Sequence, residues 1–256
     1  AAWMSVGFIH GVMNTDNMAI SGETLDYGPC AFMDDYDPTT VFSSIDRAGR
    51  YAYGAQPRIA QWNLARLAEA LVPLVSHEER DALAQLGSSL EGFSDTFQRA
   101  WLRRFRSKLG LAHPHDDDQA LVLSFLETLN RGAIDFTQAF RLLANAVLGN
   151  RDAWLALDEK QAGLSAWWQT YEARLAREGR SREAFARDLR AHNPVYIPRN
   201  HKVEEALASA SEGGDLGPLT MLLSALARPF DETEELADFA RPLPDHRRSY
   251  RTFCGT

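Results

Sequence analysis

Cysteine is scarce in this chain of 256 residues, which contains only Cys30 and Cys254. The two lie near opposite ends and no Cys-x-x-Cys pair occurs, so neither a secreted disulfide framework nor a paired-cysteine zinc site is indicated. Long apolar runs are also lacking, because no stretch approaches the roughly 20 apolar residues that cross a bilayer. No basic segment followed by an apolar one marks a signal peptide. These absences favour the reducing cytosol and predict no membrane partner.

Positive charge is in short supply as well, since the formal net charge is −8 at pH 7. Nucleic-acid backbones require a basic face, so we expect no nucleic-acid partner. A nucleotide is still compatible with this charge, because bridging cations can supply the missing positive charge. One segment, WLRRFRSKLG at 101–110, is basic with interleaved aromatic residues. We interpret it as a solvated helix face above a stripe of core residues.

The first residues, AAWMSVGFIHG, contain no initiator methionine and are apolar from the start. Such a beginning is typical of the end of a buried helix, which we place at residues 3–9. We therefore expect the chain to be the C-terminal part of a longer protein.

Most of the chain has the apolar spacing of α-helices. A stripe of five residues should face a core, and it consists of Ile59, Trp62, Leu67, Leu71 and Leu74. Ser76 and Glu79 suit a capping box that begins a short helix. Further helices are predicted at about 94–109, 117–130, 136–148, 153–178, 182–191, 201–211 and 216–226. The tail from Asp231 shows no clear period.

Residues 10–29, HGVMNTDNMAISGETLDYGP, differ from this helical pattern. Met18–Ser21 and Thr24–Asp26 are short strand candidates on either side of Gly22, which suits a tight hairpin turn. Residues 27–57 follow as a long ordered loop rich in Gly, Pro, Asp and Tyr, and loops of this length in compact domains are usually functional. The sequence thus predicts a mainly α chain with a small β-hairpin near its N-terminus.

Asn17 and Asp26 flank this hairpin, and an amide oxygen with a carboxylate suits Mg²⁺. His10, then Asn17, then a hairpin and Asp-Tyr-Gly follow the order of the protein-kinase catalytic loop and metal site. The kinase arginine position holds Gly11, however, and the position of the kinase catalytic aspartate holds Val12. An acid instead occurs at Asp16, beside the amide. The chain is therefore no typical protein kinase.

Two alternatives remain open at this point. A small-molecule type of phosphotransferase also uses a His-Gly loop and a paired Asn/Asp metal site, although Val12 stands where such enzymes usually have an aspartate. A catalytically silent interaction module is the other alternative, and the joint presence of Asp16, Asn17 and Asp26 counts against it.

The segment HGVMNTDNMAISGETLDYGPCAFMD resembles the signature of the selenoprotein O family, the pseudokinase-like protein adenylyltransferases. Three further blocks are similar to this family, namely DRAGRYAYGAQPRIAQWNLARLAEAL at 46–71, NPVYIPRNHKVEEAL at 193–207 and YRTFCGT at 250–256. The resemblance thus extends over nearly the whole chain.

The resemblance implies transfer of AMP from ATP to serine, threonine or tyrosine hydroxyls of proteins, with Mg²⁺ or Mn²⁺. It implies that Asp16 is the proton acceptor, that Asn17 and Asp26 bind the metal, and that Asp26 also lies against the nucleotide. It further implies a kinase-like C-lobe over 1–150 and a helical, family-specific extension over 151–256. A cytoplasmic bacterial protein is expected, or a mitochondrial one if the source is eukaryotic.

The N-lobe of such a protein is absent from this chain, because no Gly-rich phosphate loop and no Lys–Glu pair precede residue 10. We therefore expect the chain alone to bind ATP poorly and to be nearly inactive. Calorimetry with ATP and Mg²⁺ tests this expectation, and a micromolar dissociation constant would contradict it.

The family resemblance also implies a regulatory disulfide, in which Cys254 matches the C-terminal member. The partner is expected in the segment that reads TVFSSID here, which has no cysteine, so Cys30 is the remaining candidate. Two reduced thiols are the alternative that we favour.

Four basic residues outside this motif admit a ligand-binding interpretation, namely His113, His115, Arg199 and His201. We place the first two in an exposed loop. The other two fit better with a turn into a helix that Asn200 caps.

Overall fold

The computed structural model describes residues 1–243 and 250–253. This part is mainly helical, as predicted, and its α-helices are α1 Ala2–Val6, α2 Gln56–Val75, α3 Glu79–Lys108, α4 Asp118–Gly132, α5 Phe136–Arg141, α6 Leu143–Val147, α7 Asp152–Leu155, α8 Leu164–Ala176, α9 Arg182–His192, α10 Asn200–Gly213, α11 Gly217–Ala227 and α12 Ala237–Ala240. Within the described residues, no helix has the length and apolar character needed to cross a bilayer. The short α12 lies in the tail, where the sequence showed no period.

A two-stranded antiparallel sheet near the N-terminus confirms the prediction of a small β element, but other residues form it. Strand β1, Phe8–Ile9, pairs with β2, Ala31–Phe32, and these strands enclose the segment of residues 10–30. In place of the predicted hairpin strands, the bridge between Met18 and Thr24 is isolated. Ile20 in the predicted hairpin is 89% exposed. A hairpin without a packed face is too weak to extend its ladder.

Helix α1 is shorter than the predicted helix over 3–9. It ends because Gly7 adopts a left-handed conformation with φ of 74°, which is a common way to end a helix. Phe8 and Ile9 then continue as β1, and both side chains are buried. The helical prediction is therefore wrong for these two residues.

Helix α3 is one continuous helix of 30 residues, where the sequence predicted a short helix after Ser76 and a second one at 94–109. The predicted capping box is wrong, because the N-cap is Glu78 and makes no side-chain cap. The hydroxyl of Ser76 instead accepts a hydrogen bond from the backbone N–H of Glu78 at 3.1 Å. Gly87 and Gly92 have low helix propensity, yet the helix continues through both.

Two predicted helices are each divided in the structure. The segment 136–148 forms α5 and α6, and the segment 153–178 forms α7 and α8. The second division has a clear cause in Asp158, whose carboxylate accepts hydrogen bonds from three successive backbone N–H groups at 162–164. Those bonds stabilise the loop that leads into α8.

The main core contains aromatic side chains from α3, α4, α5, α7 and α8, among them Trp167 and Trp168. The predicted stripe on α2 is only partly correct. Ile59 is buried, whereas Leu74 is 79% exposed and Trp62 is 39% exposed. Trp62 packs against guanidinium groups rather than against a core, with that of Arg50 at 4.6 Å from its ring.

Arg199 joins the C-terminal part of the chain to the first part. Its buried guanidinium is paired with the carboxylates of Asp34 and Asp135. It is also the N-cap of α10, so Asn200 is not the cap; the Asn200 amide donates to the carbonyl of Phe32 at 3.2 Å. The division into 1–150 and 151–256, and the likeness of the first part to a kinase C-lobe, stay predictions.

Candidate active site

His10 begins the segment that carries the candidate site, and the protein interior holds it firmly. The residue is 1% exposed. Its backbone N–H donates to Oε1 of Gln56 at 3.1 Å, and Nε2 of Gln56 donates to the carbonyl of Phe8 at 3.0 Å. Gln56 is the first residue of α2. Its side chain thus forms hydrogen bonds with the backbone of β1 and of the start of the loop, as the backbone of a neighbouring strand would.

The imidazole of His10 connects the two loops that carry the candidate ligands. Its Nδ1 accepts a hydrogen bond from the backbone N–H of Val12 at 3.4 Å, and its Nε2 lies 3.1 Å from the carbonyl oxygen of Leu25. Because a carbonyl oxygen only accepts, these partners assign the proton of a neutral ring to Nε2. The ring therefore fixes the residue before Asp26 against the loop before Asp16.

Gly11 allows a second close approach between the same loops. Its φ is 85°, and a Cβ at this position would lie 2.6 Å from the carbonyl oxygen of Pro29. Glycine adopts such a φ without strain and leaves room for the oxygen. This contact explains why position 11 holds glycine rather than a residue with a side chain.

Asp16 and Asn17 lie in a 3-10 turn, Thr15–Asn17. Asp16 is exposed to solvent. The Asn17 amide donates through Nδ2 to the carbonyl of Val12 at 3.0 Å, which leaves Oδ1 available as a ligand. Tyr51 donates to Oδ1 of Asn14, and so connects the long loop of 27–57 to the beginning of this turn.

Asp26 is exposed and has a left-handed backbone with φ of 51°. Its Oδ1 accepts a hydrogen bond from the backbone N–H of Gly28 at 3.1 Å, which leaves Oδ2 available. The Met18–Thr24 bridge lies along the chain between Asn17 and Asp26. The carboxylate and the amide thus belong to loops that hydrogen bonds connect.

The free oxygens of Asn17 and Asp26 fit a hard divalent cation in number and type. Among the described residues, no group of three or more His, Cys, Asp or Glu side chains could hold a metal. A Mg²⁺ ion bound with ATP needs only one or two protein oxygens, because water and phosphate complete its octahedron. One amide oxygen and one carboxylate oxygen meet that need.

Comparison with known proteins identifies the family. The family model described as protein adenylyltransferase SelO matches residues 1–227. The chain belongs to this family.

Three relatives are each described as protein nucleotidyltransferase YdiU. That of Chromobacterium violaceum is 52% identical, over 100% of this chain and 54% of its own length. Those of Methylorubrum extorquens and Syntrophotalea carbinolica are 49% and 47% identical, over 100% and 99% of this chain. The chain spans about half the length of these relatives. The resemblance seen in the sequence is thereby confirmed.

Cys30 directly follows the DYGP turn of this family motif and is half-buried. Burial raises the pKa of its thiol, and the nearby carboxylate of Asp26 adds to the shift. Cys254 lies outside the described residues, so a Cys30–Cys254 disulfide stays a prediction. The described residue Thr252 lies close to Cys30 in space, because its hydroxyl donates to the carbonyl of Pro29 at 2.7 Å.

The histidines and the arginine that admitted a ligand-binding interpretation lie in other contacts. His113 Nδ1 pairs with Glu178 at 2.8 Å, and the side chain is exposed as predicted. His115 Nδ1 lies 2.6 Å from the guanidinium of Arg177. Arg199 forms the buried ion pairs with the two aspartates, and burial lowers the pKa of its neighbour His201.

Two polar residues of α2 support the site and were missed in the sequence. Gln56 bonds the backbone of His10, and Asn63 donates through Nδ2 to the carbonyl of Met13 at 2.9 Å. Both are buried, at 3% and 5% exposure. Their spacing of seven residues places them on one face of the helix, which is the signal that could have identified them.

Proposed function

We propose that this chain carries the catalytic and metal loops of a protein adenylyltransferase, which moves AMP from ATP to a serine, threonine or tyrosine hydroxyl of another protein. The observation that supports this proposal most is the joining of the loop of Asp16 and Asn17 to the loop of Asp26 through the His10 imidazole. Membership of the SelO family supports nucleotide transfer over the two alternatives.

In this proposal Asn17 and Asp26 hold one divalent cation, through Oδ1 of the amide and Oδ2 of the carboxylate. Mg²⁺ or Mn²⁺, when bound, neutralises charge that develops on the phosphates. The hydrogen bonds to Val12 and Gly28 orient these two side chains before any ligand arrives. Such orientation in advance lowers the cost of forming the site.

Asp16 acts as the proton acceptor. The acceptor hydroxyl loses its proton to the Asp16 carboxylate while its oxygen forms a bond to the α-phosphorus of ATP. The bond from that phosphorus to the bridging oxygen breaks, and diphosphate leaves with the electron pair. An exposed carboxylate suits this role because the side chain of another protein has to reach it.

The test uses the full-length protein with ATP labelled at the α- or the γ-phosphate. Label on protein from the α-position alone is expected. Label from the γ-position alone would instead indicate a phosphotransferase, and label from neither would indicate a silent interaction module.

A pair of variants makes this test specific to the proposed base. Asp16→Asn should reduce transfer by about 10²- to 10⁴-fold, which is the typical contribution of a general base. Asp95→Asn removes a carboxylate of α3 that is also exposed, and it serves as the matched control. Equal activity in the two variants would remove Asp16 from its proposed role.

A further inference from the structure

A second concentration of chemical groups lies at the C-terminal ends of α3 and α9. A cavity of about 270 Å³ opens there. It is lined by Ser5, Arg103, Arg104, Ser107, Lys108 and His192. No carboxylate is among these lining residues, although the chain as a whole has a net charge of −8.

Lys108 is the unusual member of this group, because it is 4% exposed. Its ammonium lies 4.2 Å from the ring centre of Phe140 and 5.3 Å from that of Phe136. Among the described residues, no carboxylate forms an ion pair with Lys108, Arg103 or Arg104; the one α3 arginine near an acid in this region is Arg106, beside Asp118. A buried ammonium without a counter-ion is costly, so such an amine loses its proton readily, and a bound anion would stabilise the charged form.

We propose that this cavity binds a small phosphate-bearing anion through the buried Lys108 and the exposed Arg103 and Arg104. Arginine and lysine are the side chains that bind phosphate oxygens in proteins. The hydroxyls of Ser5 and Ser107 already donate to backbone carbonyls, so the cations carry the binding. The site differs from the metal site of the proposed transfer reaction, since no residue is shared.

Size and charge both suit such a ligand. A volume of about 270 Å³ has room for several water molecules, and therefore for a phosphate or diphosphate group. The C-terminal ends of α3 and α9 each carry a partial negative charge of about half an elementary charge, which offsets part of the positive charge of the cavity. The two arginines exceed that amount even when Lys108 is uncharged, so the cavity keeps a positive surplus.

Calorimetric titration of the full chain, free of metal ions and at low salt, tests this proposal with orthophosphate, diphosphate and AMP as probes. Saturable binding of at least one probe is expected. Equal affinity for orthophosphate and AMP assigns the site to the phosphate group alone, and tighter binding of AMP assigns it to a nucleotide.

Two variants should weaken that binding, and one should not. Lys108→Met keeps the aliphatic contact with the two rings and should weaken binding by about tenfold or more, as expected for loss of a charged hydrogen bond. Arg104→Gln should weaken it too, and its exposed position makes misfolding no concern. Arg99→Gln removes the same charge from an exposed site of α3 outside the cavity and should change affinity by less than about twofold.

Two results would overturn the proposal. One is the absence of saturable binding by any probe up to about 10 mM, a concentration that covers even very weak sites. The other is equal affinity in Lys108→Met, Arg104→Gln and Arg99→Gln. Because no metal is present, neither result bears on the proposed AMP transfer.

Discussion

The carbonyl oxygen of Pro29 occupies the space that a side chain on Gly11 would fill, since a Cβ there would lie 2.6 Å from the oxygen. This contact and the hydrogen bond between His10 and Leu25 hold the same two loops together. The geometry of the candidate site thus depends on residues that take no part in the proposed chemistry.

Gly11→Ala should destabilise the protein by about 2–4 kcal/mol, because it adds both a clash with a backbone oxygen and a strained φ of 85°. Gly22→Ala is the matched control, since its φ is 79° but a Cβ would meet no atom within 4 Å. That control should cost only about 1 kcal/mol. Urea unfolding measures both values. Similar losses in the two variants would show that the approach to Pro29 is unimportant.

Asp26 combines a proposed metal ligand with a structural turn, and two substitutions separate these roles. Asp26→Asn keeps the acceptor for the Gly28 N–H and tolerates the φ of 51°, so the unfolding free energy should change by less than about 0.5 kcal/mol. Asp26→Ala loses the acceptor for the Gly28 N–H and does not tolerate the left-handed φ. It should therefore lower the unfolding free energy by about 1–2 kcal/mol. Both should lose Mg²⁺-dependent ATP binding in the full-length protein, measured by calorimetry. Normal Mg²⁺-dependent binding in Asp26→Asn would exclude the carboxylate as a ligand.

Arg199→Met should destabilise the protein by about 3–5 kcal/mol, because Asp34 and Asp135 would lose their buried cation. Arg131→Met removes an exposed ion-pair partner of Glu127 on α4 and should cost less than about 1 kcal/mol. Chemical unfolding of the two variants gives the comparison. A small loss in Arg199→Met would mean that these ion pairs do not hold the C-terminal part in place.

Lys108 should make stability depend on pH. Burial lowers the pKa of this ammonium from 10.5 to about 7, so above pH 7 the unfolded chain binds more protons than the folded one. Stability should therefore rise with pH from about 7 towards 10.5, by about 1 kcal/mol per pH unit from this group.

The Lys108→Met variant isolates this contribution, because other titrating groups cancel in the difference from the original protein. Unfolding is measured at pH 7.5 and pH 9 in buffers without phosphate or sulfate. The free-energy difference between the two proteins should change over this interval in favour of the protein with lysine. Parallel stability curves would contradict the low pKa of Lys108.

Local pattern predicted which segments are helical but not where the helices end. The continuous α3 passes through Gly87 and Gly92, and the break before α8 depends on how the Asp158 carboxylate bonds three backbone N–H groups. Helix propensity gives only a weak preference at such points, and tertiary contacts determine the result.

The candidate site was also predicted only in part from the sequence. The motif around Asp16, Asn17 and Asp26 led to the family, which comparison confirmed over residues 1–227. The roles of these three residues stay predictions. Gln56 and Asn63 were missed, because their hydrogen bonds connect residues 46 and 50 positions apart, and no local pattern encodes such a partner.

By itself, the sequence determined the helical character of the chain, the order of its motif and its family, since each of these depends on residues near one another along the chain. Only the tertiary structure decided which polar groups are buried and what they meet there. Lys108 belongs to a basic segment that suggested a solvated face, and it is buried against Phe136 and Phe140. Burial depends on how distant segments pack, and the spacing of residues along one helix does not contain that information.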